Sequence, residues 1–416
     1  MKNWEKKKLG ELSKKKDDVV SGPFGSNLKV SDYKNEGIPI LRLQNIGKGF
    51  FINKDIKFIN EKKAEELKYH SFLAGDIALA KLGIPIGKTC IIPIHLKSGI
   101  ITADIVRIRP DKNVIDYNYL EFFLNTDLSV NQLTGNISGA TRPRVNLSDV
   151  RNIEIPLPPL TEQQRIVSIL GEAFAAIAKA KANAQQNLQN AKELFESYLQ
   201  GVFENKGEGW EERTLGEVCS LITDGKHGDC ENEENSGYYF LSAKDVRNGT
   251  LLFENARQIT KSGFEETHRR TNLKPRDICM VNTGATIGRI SFAPNDNRTS
   301  KATFQKSVAV IKTISTLIDN DFCGYILKSD LKKLVKVSSG TAVPNLLLGD
   351  LKRHRINIPK SLKTQQIIVH KLDALNAETK KLESIYQQKI NDLEELKKSV
   401  LQKAFSGELK TVRGEV

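Results

Sequence analysis

The chain repeats itself, and that constrains its fold more than any other feature of the sequence. "PLPPLTEQQRIVSIL" runs from Pro156 to Leu170, and "IPKSLKTQQIIVHKL" runs from Ile358 to Leu372. Setting Gln163-Gln164 on Gln365-Gln366 gives an offset of 202. Trp4 falls on Trp210 at an offset of 206, together with Leu9-Gly10-Glu11 on Leu215-Gly216-Glu217. "GIPILRLQNIGKGFF" from Gly37 matches "GYYFLSAKDVRNGTLLF" from Gly237 at an offset near 200. "GDIALAKLGIPIGK" from Gly75 matches "PRDICMVNTGATIGR" from Pro275 at 201, keeping Asp76/Asp277, Gly83/Gly284 and Gly87/Gly288. "SGATRPRVNLSDV" from Ser138 matches "SGTAVPNLLLGDL" from Ser339 at 201, and Leu199 and Phe203 match Leu401 and Phe405 at 202. Matches in one order at a near-constant offset define a tandem duplication, each copy holding a globular part followed by a long helix.

The globular parts carry short strand patterns beside helical ones, which predicts an α+β fold. In "IPILRLQNI" the alternation places Leu41 and Leu43 on one face and Arg42 and Gln44 on the other. "GDIALAKLG" and "RDICMVNTG" are expected to be buried strands ending at a glycine turn. From Thr161 to Phe203 there is no proline, and apolar residues recur at Ile166, Leu170, Phe174, Ile177, Leu188, Phe195, Tyr198 and Val202. Thr161 and Gln164 have the spacing of a capping box. The second helix has Leu372, Leu375, Leu382, Tyr386, Leu393, Val400 and Leu401. Each helix spans on the order of 60 Å at ~1.5 Å per residue. An apolar stripe that long requires a partner, and the simplest is the other copy. The expected architecture is therefore two tandem α+β domains at residues 1–157 and 208–360. Long helices at 158–207 and 361–416 pack as an antiparallel coiled coil with pseudo-two-fold symmetry.

A length of 416 residues calls for more than one core, and the formal charge of +13 suits a polyanion, nucleic acid before a membrane surface. The opening "MKNWEKKKLGEL" lacks the apolar core of a signal peptide, and no run reaches the ~18 apolar residues of a membrane span. Five cysteines without a CxxC pair and six scattered histidines point to reduced thiols and to no metal site. A cytoplasmic protein is expected.

Catalytic motifs are missing. "GIPIGKT" at Gly83–Thr89 is one residue short of a phosphate-binding loop, and the second copy reads "GATIGRI". A strand-turn-strand with a basic tip accounts for both. Asp76 and Asp277 each precede a strand, where an aspartate commonly caps a turn. No methyltransferase, nuclease or GxSxG pattern stands out, so two copies of a scaffold without a reaction centre point to binding.

The two copies share apolar, glycine and proline positions and differ at polar ones. Arg42 becomes Ser242, Gln44 becomes Lys244, Lys81 becomes Asn282 and Lys88 becomes Arg289. "SGPFGSNLK", with Phe24 and Lys29, becomes "TDGKHGDCE", with Lys226 and His227; "ATRPRVN", with Arg142 and Arg144, becomes "TAVPNLL", with Asn345. Arg, Lys, Asn and Gln read base edges and hold phosphates. The candidate DNA-binding residues are thus Phe24, Lys29, Arg42, Gln44, Lys81, Lys88, Arg142, Arg144, Lys226, His227, Lys244, Asn282, Arg289 and Asn345. From the residues alone, a bipartite DNA reader, a stand-alone two-headed regulator and a coiled-coil scaffolding protein all remain open.

The "LPPLTEQQRIV" joint, its echo "SLKTQQIIV", the "SGATRPRV" lead-in and the globular–helix–globular–helix order extend over essentially the whole chain. In these features it resembles the specificity subunit of Type I restriction–modification systems. The resemblance implies that each globular part is a target-recognition domain reading one half of a split double-stranded DNA site. The helices would fix the gap and dock methyltransferase subunits, which restriction/translocase subunits join, in a prokaryotic cytoplasm. It implies no catalytic centre and no cofactor on this chain: S-adenosylmethionine, ATP and Mg2+ would belong to the partner subunits. Thr364 replaces Glu162 and Lys360-Ser361 replace Pro158-Pro159, so the second joint is where the geometry is most open to departure.

Overall fold

The computed structural model describes residues 4–135, 144–247, 249–336 and 345–409. The chain divides into two compact units, one of residues 1–185 with 388–416 and one of residues 186–387. Each unit holds one globular head and half of each long helix. No helix among the described residues is long and apolar enough to cross a membrane.

The first head is built on two four-stranded sheets. One is antiparallel, in the order Val19–Ser21, Ile105–Ile108, Ile77–Ala80, Thr89–Ile91. The other runs Lys57–Ile59, Ile38–Leu41, Ser98–Ile101, Ser71–Leu73, with Ile38–Leu41 parallel to Ser98–Ile101. Residue parity in the Ile77–Ala80 strand divides the core. Ile77 and Leu79 pack with Tyr119, Phe123, Ile166 and Leu170, whereas Ala78 and Ala80 join Leu41, Phe72 and Ile101 between the sheets. The head is closed by the N-terminal strand Lys6–Lys8 pairing with Glu154–Pro156, the strand that feeds the central helix.

The second head repeats this plan. Cys219–Asp224, Val308–Thr313, Ile278–Val281 and Ile290–Phe292 form the antiparallel sheet. Arg257–Gln258, Tyr239–Leu241 and Ala302–Phe304 form the other, again with one parallel pair. Trp210–Thr214 closes on Arg355–Pro359. Among the described residues no strand here matches Ser71–Leu73; the 11-residue helix Lys261–Thr271 stands where the first head has the six-residue Glu61–Glu66.

The sequence expectations meet the structure at four places. Both glycine turns are strand-turn-strand connections, with Gly83, Gly87, Gly284 and Gly288 all at positive φ. Asp76 and Asp277 are structural. Each accepts the amide three residues upstream at 2.7 Å and pairs with a cation on the neighbouring strand, Arg109 for Asp76 and Lys312 for Asp277. All five cysteines are buried thiols. The alternation assigned to Arg42–Gln44, however, is broken: the strand ends at Leu41 and Leu43–Asn45 is a single 3-10 turn. The cause is a buried cap. Asn45 Oδ1 accepts the Arg42 amide at 3.0 Å, and Asp245 accepts the Ser242 amide at 2.8 Å in the second head.

The long helices run Leu160–Glu204 and Leu362–Phe405. Within the first unit their halves run antiparallel: Lys397 lies over the Phe174 ring at 5.0 Å and Lys181 pairs with Glu394, further along one helix and further back along the other. Phe405 seats the C-terminal helix on the first head, its ring 5.0 Å from Tyr119 and 5.3 Å from Phe123. In the second unit Leu199, Val369 and Leu372 join the core of the second head.

The joints hold a correction. Thr161 is not an N-cap, because the helix begins at Leu160 and its first turn closes on the Pro159 carbonyl, which accepts from the Glu162 and Gln163 amides. The working residue is Gln163, not Gln164. Fully buried, Gln163 accepts the Asp116 amide at 2.8 Å and donates to the Val114 and Pro158 carbonyls. Gln365, equally buried, accepts the Asp319 amide at 2.7 Å and donates to the Leu317 and Pro359 carbonyls. The second joint therefore keeps the geometry of the first despite its changed flanks, and Ser361 supplies a hydroxyl acceptor for the Thr364 amide.

Candidate nucleic-acid interface

A side chain that reads DNA needs an exposed tip and donors or acceptors not already committed within the protein. Arg42 and Gln44 converge on one carboxylate, Asp55, at 2.8 and 3.2 Å. Lys57, then Arg42 and Gln44, hold that carboxyl well below the usual carboxylate range. Arg144 pairs with Asp104, Lys226 with Glu266 at 3.0 Å, and His227 with Asp224 at 2.9 Å. The Arg144 and Lys226 pairs lie at the surface and are weak enough to exchange for phosphate, whereas Asp224 is buried.

Lys81 and Asn282 depart from the outward placement expected of them. They are only 8% and 3% exposed, because each lies one residue past its strand, where Arg144-Val145 and Asn345-Leu346 pair with the chain beside it. The Lys81 carbonyl accepts from Val145 and the Asn282 carbonyl from Leu346. Burial, then the nearby Arg144 charge, pulls the Lys81 ammonium below the ordinary lysine value. Asn345 binds Thr283 through its side chain at 2.7 Å. Arg142 lies outside the described residues.

The remaining candidates are presented freely. Phe24 is 84% exposed on the turn that follows Val19–Ser21. Lys29, Lys244 and Arg289 are exposed and Lys88 is half-buried; none makes a side-chain hydrogen bond or ion pair with the described residues. Lys88 and Arg289 stand at corresponding places after the two glycine turns, as the repeat implied. One exposed cation escaped the sequence comparison. Arg247, on the short hairpin strand Val246–Arg247, corresponds to Gly47 in the first copy and so fell outside the polar-for-polar positions. Among the described residues no group of three or more His, Cys, Asp or Glu is placed to hold a metal ion.

The arrangement is thus two heads of one construction with different exposed cations, and comparisons with known proteins agree with it. Over 98% of its length the chain is 24% identical to the putative type I restriction enzyme MjaX specificity subunit of Methanocaldococcus jannaschii, of which 97% is covered. The fold is that of a chain in a solved type I R-M system, with a TM-score of 0.76 at 21% identity over 98% of this chain and 99% of that one. It is also that of the crystal structure of the HsdS subunit from Thermoanaerobacter tengcongensis, with a TM-score of 0.62 at 20% identity over 98% of both. Residues 1–188 and again 207–395 match the family described as the Type I restriction modification DNA specificity domain, one match for each copy of the duplication. The chain belongs to that family.

Proposed function

We propose that the chain is the sequence-specific DNA-binding subunit of a Type I restriction–modification complex, each head reading one half of a bipartite site. The observation that carries this reading is the pair of heads with one skeleton and one joint geometry but different exposed polar side chains, each matched separately by the DNA specificity family. A duplicated skeleton with divergent readers suits an asymmetric target. As a specificity subunit the chain is a non-catalytic component; methyl transfer and cleavage belong to methyltransferase and restriction subunits. Exposed apolar residues along the helices, among them Leu194, Tyr198, Ile367, Ile385 and Leu396, support docking of methyltransferase subunits there. Phe24, Lys29, Lys88, Lys244 and Arg289 are the DNA contacts favoured by exposure.

Methylome sequencing of cells carrying the chain with its methyltransferase subunits tests the reading. A split motif is expected, and replacing residues 208–357 with those of a relative changes one half only. Deleting about one turn from the central helix alters the gap between the halves. A target unchanged by the exchange, or changed in both halves, would refute the assignment of one half to each head.

A further inference from the structure

Exposed cations without a partner mark where a polyanion is gripped, and in the second head two of them line a single cleft. Arg247, on the hairpin strand Val246–Arg247, and Arg289, after the glycine turn, flank a cavity of about 490 Å³ whose other walls are Val246 and Ile290. The hairpin is tied to that strand, since the Phe292 amide donates to the Gly249 carbonyl at 3.1 Å. The backbone positions that carry the two arginines are therefore fixed relative to one another. No carboxylate among the described residues pairs with either. That contrasts with Arg257, Arg270, Arg276 and Arg298 of the same head, each of which has an aspartate partner.

The first head cannot build this site. Its hairpin is tied down in the same way, with the Gly49 amide donating to the Thr89 carbonyl at 2.9 Å. Gly47 occupies the arginine position, and a Cβ there would lie 2.6 Å from the Phe50 carbonyl oxygen and 2.7 Å from its ring. Any side chain would collide with backbone, so the duplication has diverged here by construction rather than by exchange of one reader for another.

We propose that Arg247 and Arg289 clamp one phosphate of the DNA backbone at the second half-site, a fixed anchor that the first head lacks. This rests on the DNA-binding reading above and deepens it. Two guanidinium groups facing one cleft suit a group bearing a full negative charge with several acceptor oxygens. A neutral guanine edge is satisfied by one arginine.

The test uses the full chain with its methyltransferase subunits, wild type and Arg247→Ala/Arg289→Ala, binding specific and unrelated duplexes between 50 and 200 mM salt (about the range over which phosphate contacts dominate). Because both side chains are exposed, the variant is expected to fold and to methylate the same motif. Its affinity falls roughly tenfold on both duplexes, and its log affinity–log salt slope becomes shallower by about 1. An Arg247→Lys/Arg289→Lys chain keeps the slope while binding more weakly. Unchanged affinity and slope in the alanine variant overturn the clamp and leave the DNA reading intact. So does a loss confined to one base position with relaxed specificity there, which makes the arginines base readers. A wild-type complex with no sequence preference overturns the DNA reading itself, and the clamp with it.

Discussion

Glu121 carries the most specific pH dependence in the molecule. It lies on the helix Tyr117–Leu124, 5% exposed, and its carboxyl makes no hydrogen bond or ion pair with the described residues. Burial pushes its carboxyl from 4.5 up to about 7, against a weaker opposing pull from Lys397 on the C-terminal helix. The folded value is therefore raised above the unfolded one. Below pH 4.5 both states hold the proton and nothing is lost. As pH climbs from there to about 7 the unfolded chain releases its proton while the folded chain keeps it, so stability falls throughout that window. At about 1.4 kcal/mol per pK unit the total reaches roughly 3 kcal/mol, and the full cost is present above it.

Glu121→Gln preserves shape and removes the charge. It should leave stability near pH 4 almost unchanged and raise it by up to about 3 kcal/mol at pH 8. Trp4 packs against the core of the first head and Trp210 against that of the second, so urea unfolding in a Trp210→Phe background reports the first unit alone. A difference between Glu121 and Gln chains that is the same at pH 5 and pH 8 refutes the buried-proton argument. A variant less stable at pH 8 would mean that attraction to Lys397 outweighs desolvation.

Three further outcomes follow from packing and hydrogen bonding. Gln163→Ala and Gln365→Ala each remove a side chain that serves one buried amide and two carbonyls, so each should cost about 2–4 kcal/mol by urea unfolding, and the two costs should match closely. Phe405→Ala empties the ring site between Tyr119 and Phe123 and should destabilise the first unit by about 3–5 kcal/mol, seen as a Trp4 transition that moves while the Trp210 transition stays. Asp76→Asn weakens the bidentate grip of Arg109 but keeps the turn acceptor, so it should cost less than Asp76→Ala in the same assay.

What the sequence made legible was whatever a duplication exposes: glycines forced by positive φ, apolar parity in strands, and helices long enough for their period to show. Readers were harder, because a polar residue that differs between copies can be exposed, paired or buried. Arg42 and Gln44 looked free because their partner Asp55 is 13 and 11 residues away and belongs to no aligned block. Lys81 looked like an outward position because it is a charge that becomes Asn282 in the second copy, yet Val145, far along the chain, bonds over its carbonyl. Arg247 was invisible for the opposite reason: comparison of copies highlights replacement of one polar residue by another, and here the counterpart is a glycine held by its own hairpin.

The joint shows where comparison of copies becomes strongest. Thr161-Glu162 and Lys363-Thr364 differ, and so do Pro158-Pro159 and Lys360-Ser361, yet the first glutamine of each pair accepts one amide before a head's helix and donates to two carbonyls, the nearer of them one residue earlier in the second copy. A helix cap could be supplied by many residues, as Ser361 illustrates. Only a side chain with both an acceptor and two donors can tie the turn before a head's helix to the start of its long helix, and glutamine has the reach to do so from inside the first turn. If, as proposed, the helices set the gap between half-sites, each must leave its head at a fixed angle, because an error there grows along its length. The pressure on the joint therefore falls on one buried amide in each copy and leaves the exposed residues around it free to drift.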